Sequence, residues 1–229
     1  MTDMTGIEKK TIYYKDIVKD EEIQMLIENG NQALKVIGFT EHSRRHAMKV
    51  AECAGSILKE LGYSEHPIEL ARIAGYMHDI GNSINRHDHA HTGAILAYNI
   101  LKDMGMSIRD VLTITTAIGN HDEATGTAVD IVSAALILAD KTDVRRNRVQ
   151  NPITANFDIH DRVNYAVLSA LLAVDKESKS IQMTLELDDS MCTMMDYFEI
   201  FMNRMIMCRR AAEVFGCRFK LFANGNKLF

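Results

Sequence analysis

The chain has 229 residues, 47% of them hydrophobic, enough for one helical domain of ordinary size with a smaller appendage and a core that needs no staples. A net charge of −5 and a pI near 6.0 argue against a general nucleic-acid or anionic-membrane binder, which carries a basic excess. The opening stretch MTDMTGIEKKTIYYKD holds no apolar segment leading to a cleavage site, and nowhere do about eighteen apolar residues run together, so a cytoplasmic protein is expected. Cys53, Cys192, Cys208 and Cys217 lack CxxC spacing and sit beside apolar residues; they read as small hydrophobes in a reducing compartment, not as a zinc ribbon.

Taken in order, residues 20–29 and 40–60 carry helical apolar spacing, the second through Met48, Ala51, Ala54, Ile57 and Leu58, with Thr40 as its expected cap. Pro67, after Ser64 and Glu65, marks the start of a third helix that runs through Leu70, Ile73 and Ala74 to Met77 and is expected to stop at Gly81. That places His78 and Asp79 on its last turn. The stretch RHDHAH reads as a polar approach to a helix over Thr92–Leu101, and Ser107 caps another through Ile118 toward His121. Ile131–Ala139 is apolar on every face, which predicts a central, buried helix ending at Asp140. With helix following helix over short connections, the first two-thirds is expected to be an all-α bundle.

The pattern changes after Pro152. A short helix is expected to run into a strand over Ser169–Asp175, DKESKS is a turn, and Ile181, Met183, Leu185 and Leu187 alternate with polar residues as in a half-buried strand. A long helix from Ser190 to Phe215, capped by Ser190 and stopped by Gly216, precedes a last strand over Arg218–Ala223. Its methionines, Met191, Met194, Met195, Met202, Met205 and Met207, read as core filler between helix and sheet, with a homodimer contact as the alternative. The predicted fold is mainly α: a helical domain over residues 1–150 and a small C-terminal β-β-α-β unit over 151–229 packed on it.

Alone, a histidine such as His46 on an apolar helix reads as a core residue. His46, His78, Asp79 and Asp140 together do not, because burying two carboxylates among imidazoles without a cation is costly. Neutral imidazole with ionised carboxylate suits a divalent metal, and the adjacent His78 and Asp79 supply two ligands from one turn.

The context of these residues is HAMKVA around His46, ARIAGYMHDIGN around His78 and Asp79, and ALILADKTDVR around Asp140. In that order and setting the chain resembles the HD-domain superfamily of metal-dependent phosphohydrolases over about residues 30–150. The resemblance implies that His46, His78, Asp79 and Asp140 are metal ligands, that His78 and Asp79 carry catalysis by holding a metal-activated hydroxide, and that the substrate is a small phosphoester such as a nucleotide. One-metal relatives stop at those four ligands, and binuclear relatives add two histidines. Here His89 stands before Gly93-Ala94 in an HxxxGA setting, favoured over His87 and His91, and His121 lies in NHDEATG, with Asp122 as an orienter. One or two ions are therefore expected, with Fe, Mn, Zn, Co and Ni all chemically suited. His42, one turn before His46, is a metal ligand like the carboxylate that three-metal relatives carry at this turn, a residue near the substrate, or a plain helix residue.

Among nearby cations, Lys141, Arg145 and Arg45 are the expected substrate-binding residues. HDIGN with Asn82 and the absence of a GYP signature set the chain apart from the HD-GYP cyclic-dinucleotide phosphodiesterases. Two other classes remain: a di-iron oxygenase on the same fold, and a non-catalytic nucleotide sensor.

Overall fold

The computed structural model describes residues 11–151, 153 and 157–228. The first ten residues of the opening stretch and Pro152, where the sequence pattern changes, lie outside them. Seven α-helices come first among the described elements: α1 (Tyr14–Lys19), α2 (Glu21–Val36), α3 (Arg44–Leu61), α4 (Glu65–Met77), α5 (His89–Asp103), α6 (Ile108–Gly119) and α7 (Ile131–Lys141). After them come α8 (Ile159–Ala166), β1 (Val167–Asp175), β2 (Ser180–Leu187), α9 (Met194–Val214), β3 (Arg218–Ala223) and β4 (Asn226–Lys227). The chain is mainly α with a small C-terminal sheet, as the periodicities predict.

Several ends differ from the sequence reading, each for a local reason. α2 does not stop at residue 29: Ile23, Ile27, Gly30 and Leu34 form one buried stripe, and Gly30 lets the helix lie against the backbone of Ser83. Ser43, not Thr40, caps α3 by accepting from the Arg45 N–H, while the Thr40 carbonyl accepts from His42 Nδ1 at 2.7 Å. α4 ends at Met77 rather than Gly81, and a 3-10 turn over Ile80–Ser83 follows. α9 is capped by Thr193, whose side chain forms a reciprocal box with Asp196, not by Ser190.

Burial organises the packing around α7. Every residue from Val132 to Ala139 is buried, and the helix packs against α3, α4, α6 and α9. A helix apolar all round has no face to give to water, so it takes the centre. The sheet has the order β1-β2-β3-β4, antiparallel except between β2 and β3, where the α9 crossover makes the pair parallel (Ile181 beside Phe219, Met183 beside Leu221). β4 is too short to have a periodicity of its own and was not legible in the sequence.

One continuous cluster of buried apolar residues joins α3, α4 and α7 to Phe201, Met205 and Cys208 of α9 and to Ile181 and Leu221 of the sheet. The core-filler reading of the methionines holds for Met205 and Met207, which are buried, and for Met191 and Met194, which pack against the core. It fails for Met195, 78% exposed, and Met202, 41% exposed. All four cysteines are free thiols, and no helix among the described residues is long and apolar enough to cross a membrane.

Candidate metal centre

Five chain segments deliver the site. His46 comes from the first turn of α3, His78 and Asp79 from the junction between α4 and its 3-10 turn, His89 from the start of α5, His121 from just past α6, and Asp140 from the last turn of α7. Asp88 turns the chain into α5 with φ 58, and this buries His89 to 4% exposure while His87 and His91 stay exposed. Of the three histidines in RHDHAH, His89 is the one the chain buries, with its Nε2 3.6 Å from Asp79 Oδ1. The stretch is a turn entering a helix, not an extended approach.

Gly81 makes the close approach possible. A Cβ there would lie 2.0 Å from the His89 carbonyl oxygen and 2.5 Å from the Gly93 nitrogen, so only glycine lets α5 dock on the turn that carries Asp79. Gly93 faces back toward the Gly81 nitrogen and the His78 carbonyl, which is the physical content of the HxxxGA setting.

The imidazoles converge through their Nε2 atoms. His46 Nε2 lies 3.3 Å from His78 Nε2, and His89 Nε2 lies 3.2 Å from His121 Nε2. Each Nδ1 is committed elsewhere: His78 to the Gly75 carbonyl at 2.8 Å, His121 to the Ile118 carbonyl at 2.6 Å, His89 to the Arg86 carbonyl at 3.2 Å, and His46 to the Asp143 carboxylate at 2.8 Å. Since these acceptors hold a proton on Nδ1, the four Nε2 atoms turn toward one another, and only a proton or a cation can lie between them.

Asp79 stands between the two pairs. Its Oδ2 is 3.1 Å from His78 Nε2 and 3.7 Å from His46 Nε2, while its Oδ1 is 3.6 Å from His89 Nε2 and 3.9 Å from His121 Nε2. Asp140 Oδ1 completes the first group at 3.4 Å from His46 and 3.6 Å from His78. Asp79 Oδ2 is buried, and the nearest groups to it are the His78 and His46 imidazoles. Two buried carboxylates among imidazoles are stable only where positive charge meets them, so the donor set fits a metal. Among the described residues, two groups could hold an ion: His46, His78 and Asp140, and His78, Asp79 and His121.

Electrostatics agree. Burial pushes His121 and His42 well below the ordinary imidazole value and lowers His89, leaving neutral rings of the kind that ligate. Burial also works against a charged His78, but the carboxylates of Asp79 and Asp140 outweigh it and raise that group to about 10. The cluster draws a positive charge to the point where the two carboxylates meet.

A cavity of about 290 Å³ opens onto the cluster, a size suited to a small ligand. Lys141 lines it, held by Asp140 Oδ2 at 2.7 Å and Glu123 Oε2 at 2.9 Å. Neither Arg45 nor Arg145 lines it. Arg45 is 58% exposed and forks onto Glu41, and Arg145 forks onto Asp143 at 2.7 and 2.9 Å. His42 does line it, from the loop before α3, with Nε2 4.0 Å from Asp79. Asp122 does not orient His121; it caps its own turn by accepting from the Ala124 N–H, and the Ile118 carbonyl orients the ring instead.

Sequence reasoning missed Asp143, Glu123, Arg204, Arg86 and the aromatic residues Phe39 and Phe201. For Asp143 a signal existed in its position three after Asp140. Arg204 comes from α9 of the C-terminal unit, and its Nε donates to Glu123 Oε1 at 3.0 Å, so no local pattern could join it to residues eighty positions away.

The HD domain family matches residues 44–147, and the chain therefore contains an HD domain over that span. An uncharacterized protein of Methanocaldococcus jannaschii is 25% identical over 205 residues, covering 80% of this chain and 78% of the relative. Ribonuclease Y of Streptococcus sanguinis is 30% identical over 129 residues, which is 55% of this chain but 23% of that enzyme. Among solved structures, a "predicted HD superfamily hydrolase" from an uncultured Thermotogales bacterium shares 27% identity with a TM-score of 0.43, over 54% of this chain and 67% of that one.

Proposed function

We propose that the protein is a metal-dependent phosphohydrolase acting on a nucleotide or another small phosphoester, at a binuclear centre. In this reading His46, His78 and Asp140 would hold one cation and His89 and His121 the other, with Asp79 a ligand shared by the two. The observation that carries it is the placement of the two Asp79 oxygens, Oδ2 toward His78 and His46 and Oδ1 toward His89 and His121. Divalent cations, when bound, supply an ionised water at neutral pH and neutralise charge on phosphoryl oxygens.

The chain's own residues do the rest. The Nδ1 acceptors lock each ring in one tautomer, Asp143 adds basicity to His46, and Lys141 brings a charge to the cavity wall beside Asp140. Arg145 acts on the site through Asp143 rather than by touching substrate.

Metal analysis of protein purified without added metal, followed by a phosphatase and phosphodiesterase panel run under nitrogen with each candidate metal, tests the reading. Phosphate release by metal-loaded protein supports it. Empty sites that added Mn or Fe cannot fill, or oxygen consumption with no phosphate release, overturns it.

A further inference from the structure

The cavity's cations are not equivalent. Lys141 is neutralised by Asp140 and Glu123, and Arg204 by Glu123. Arg148 is buried against Asp143, with its Nε on the Glu41 carbonyl and its Nη1 on the Asp143 carbonyl. Arg86 differs. Its partners among the described residues are the Asn82 side-chain oxygen, 3.3 Å from Nη1, and the ring of Phe39, 5.3 Å from its guanidinium carbon. Neither is an anion, so Arg86 brings the uncompensated positive charge to a cavity that Phe39 and Arg86 both line.

Its position is fixed. Asn82 is buried and turns its Nδ2 to Asp79 Oδ1 at 2.8 Å while its own oxygen accepts from Arg86, so one amide ties the guanidinium to the central carboxylate. The Arg86 carbonyl holds His89 Nδ1, which places the same residue against the second imidazole pair from its backbone side. Phe39 stacks on the guanidinium and leaves its in-plane N–H donors directed elsewhere. A rigid, half-buried fork with free donors beside a di-imidazole cluster matches two oxygens of a phosphoryl group. The same cavity is lined by the carboxylates of Asp158, which caps α8, and Asp161 of its first turn, which offer acceptors and would repel a second anion.

We infer that Arg86, braced by Asn82 and Phe39, is the phosphoryl-binding residue of the cavity, and that the cavity takes one phosphoryl group whose uncharged, hydroxyl- or amino-bearing remainder faces α8. This rests on the phosphohydrolase reading for its link to catalysis, but not for the binding itself. It also gives Asn82, the departure from an HDIGK pattern, a role.

The test is calorimetric binding of inorganic phosphate to metal-loaded wild type, Arg86→Lys and Arg86→Gln, with metal content measured on the same samples. Expected are one phosphate per chain for wild type, about tenfold or greater weakening in Arg86→Gln, an intermediate loss in Arg86→Lys, and unchanged metal in all three. Binding by Arg86→Gln within about twofold of wild type, two phosphates per chain, or metal loss parallel to phosphate loss would overturn the inference. If wild type releases phosphate from no ester yet shows Arg86-dependent phosphate binding, the clamp stands and the hydrolase reading falls.

Discussion

Asp143 Oδ2 accepts from His46 Nδ1 at 2.8 Å, and the same carboxylate is gripped by Lys49, Arg145 and Arg148. Against the opposing effect of burial, the hydrogen bond from His46, then that from Arg145 and the charge of Arg148, hold its carboxyl far below the usual range, so it stays ionised at any working pH. Asp143→Asn keeps the shape and removes the charge. It is expected to lower metal affinity by about 10- to 100-fold, read by competition with a chelator, because the outer partner sets ligand basicity and ring orientation. Unchanged affinity would show that His46 needs no anchor.

The two imidazole pairs separate one ion from two. His89→Ala and His121→Ala are each expected to lose about one metal ion per chain while the fold survives, since the other group keeps its ligands. Asp79→Ala should empty both. Full metal stoichiometry and activity in both histidine variants would make the centre mononuclear.

Gly81→Ala is expected to destabilise by about 3 kcal/mol or more and to lower metal content with it, because the new methyl meets the His89 carbonyl at 2.0 Å and backbone must move. Thermal melting and metal analysis of one sample check this. A variant that melts normally with full metal would mean that α5 shifts freely.

Removing metal should leave protonation of His78 as the main compensation for the buried Asp79 and Asp140 carboxylates. Chelation is therefore expected to lower Tm by several degrees, and stoichiometric Mn, Fe or Zn to restore it, the shift scaling with the logarithm of free metal. A Tm indifferent to chelator on protein shown to hold metal would contradict this.

Much of the molecule is set by local sequence. The apolar run from Ile131 to Ala139 can only be a central helix, the alternation from Ile181 to Leu187 only a half-buried strand, and HDIG between apolar helices announces a cation site. Helix ends were less legible: Ser43 and Thr193 cap where the sequence pointed to Thr40 and Ser190, because a cap depends on which N–H the chain leaves free.

Tertiary structure alone decided the burial of His89 while His87 and His91 stay exposed, the placement of Arg45 and Arg145 away from the cavity, the contact of Asp143 with His46, and the arrival of Arg86 and Arg204 at the cavity wall. These are matters of direction and distance. Spacing along a chain fixes which face of a helix a residue occupies, but Asp143 meets His46 across 97 positions and Arg204 meets Glu123 across 81. Such pairs exist only once the buried α7 has drawn α3, α4, α6 and α9 around itself.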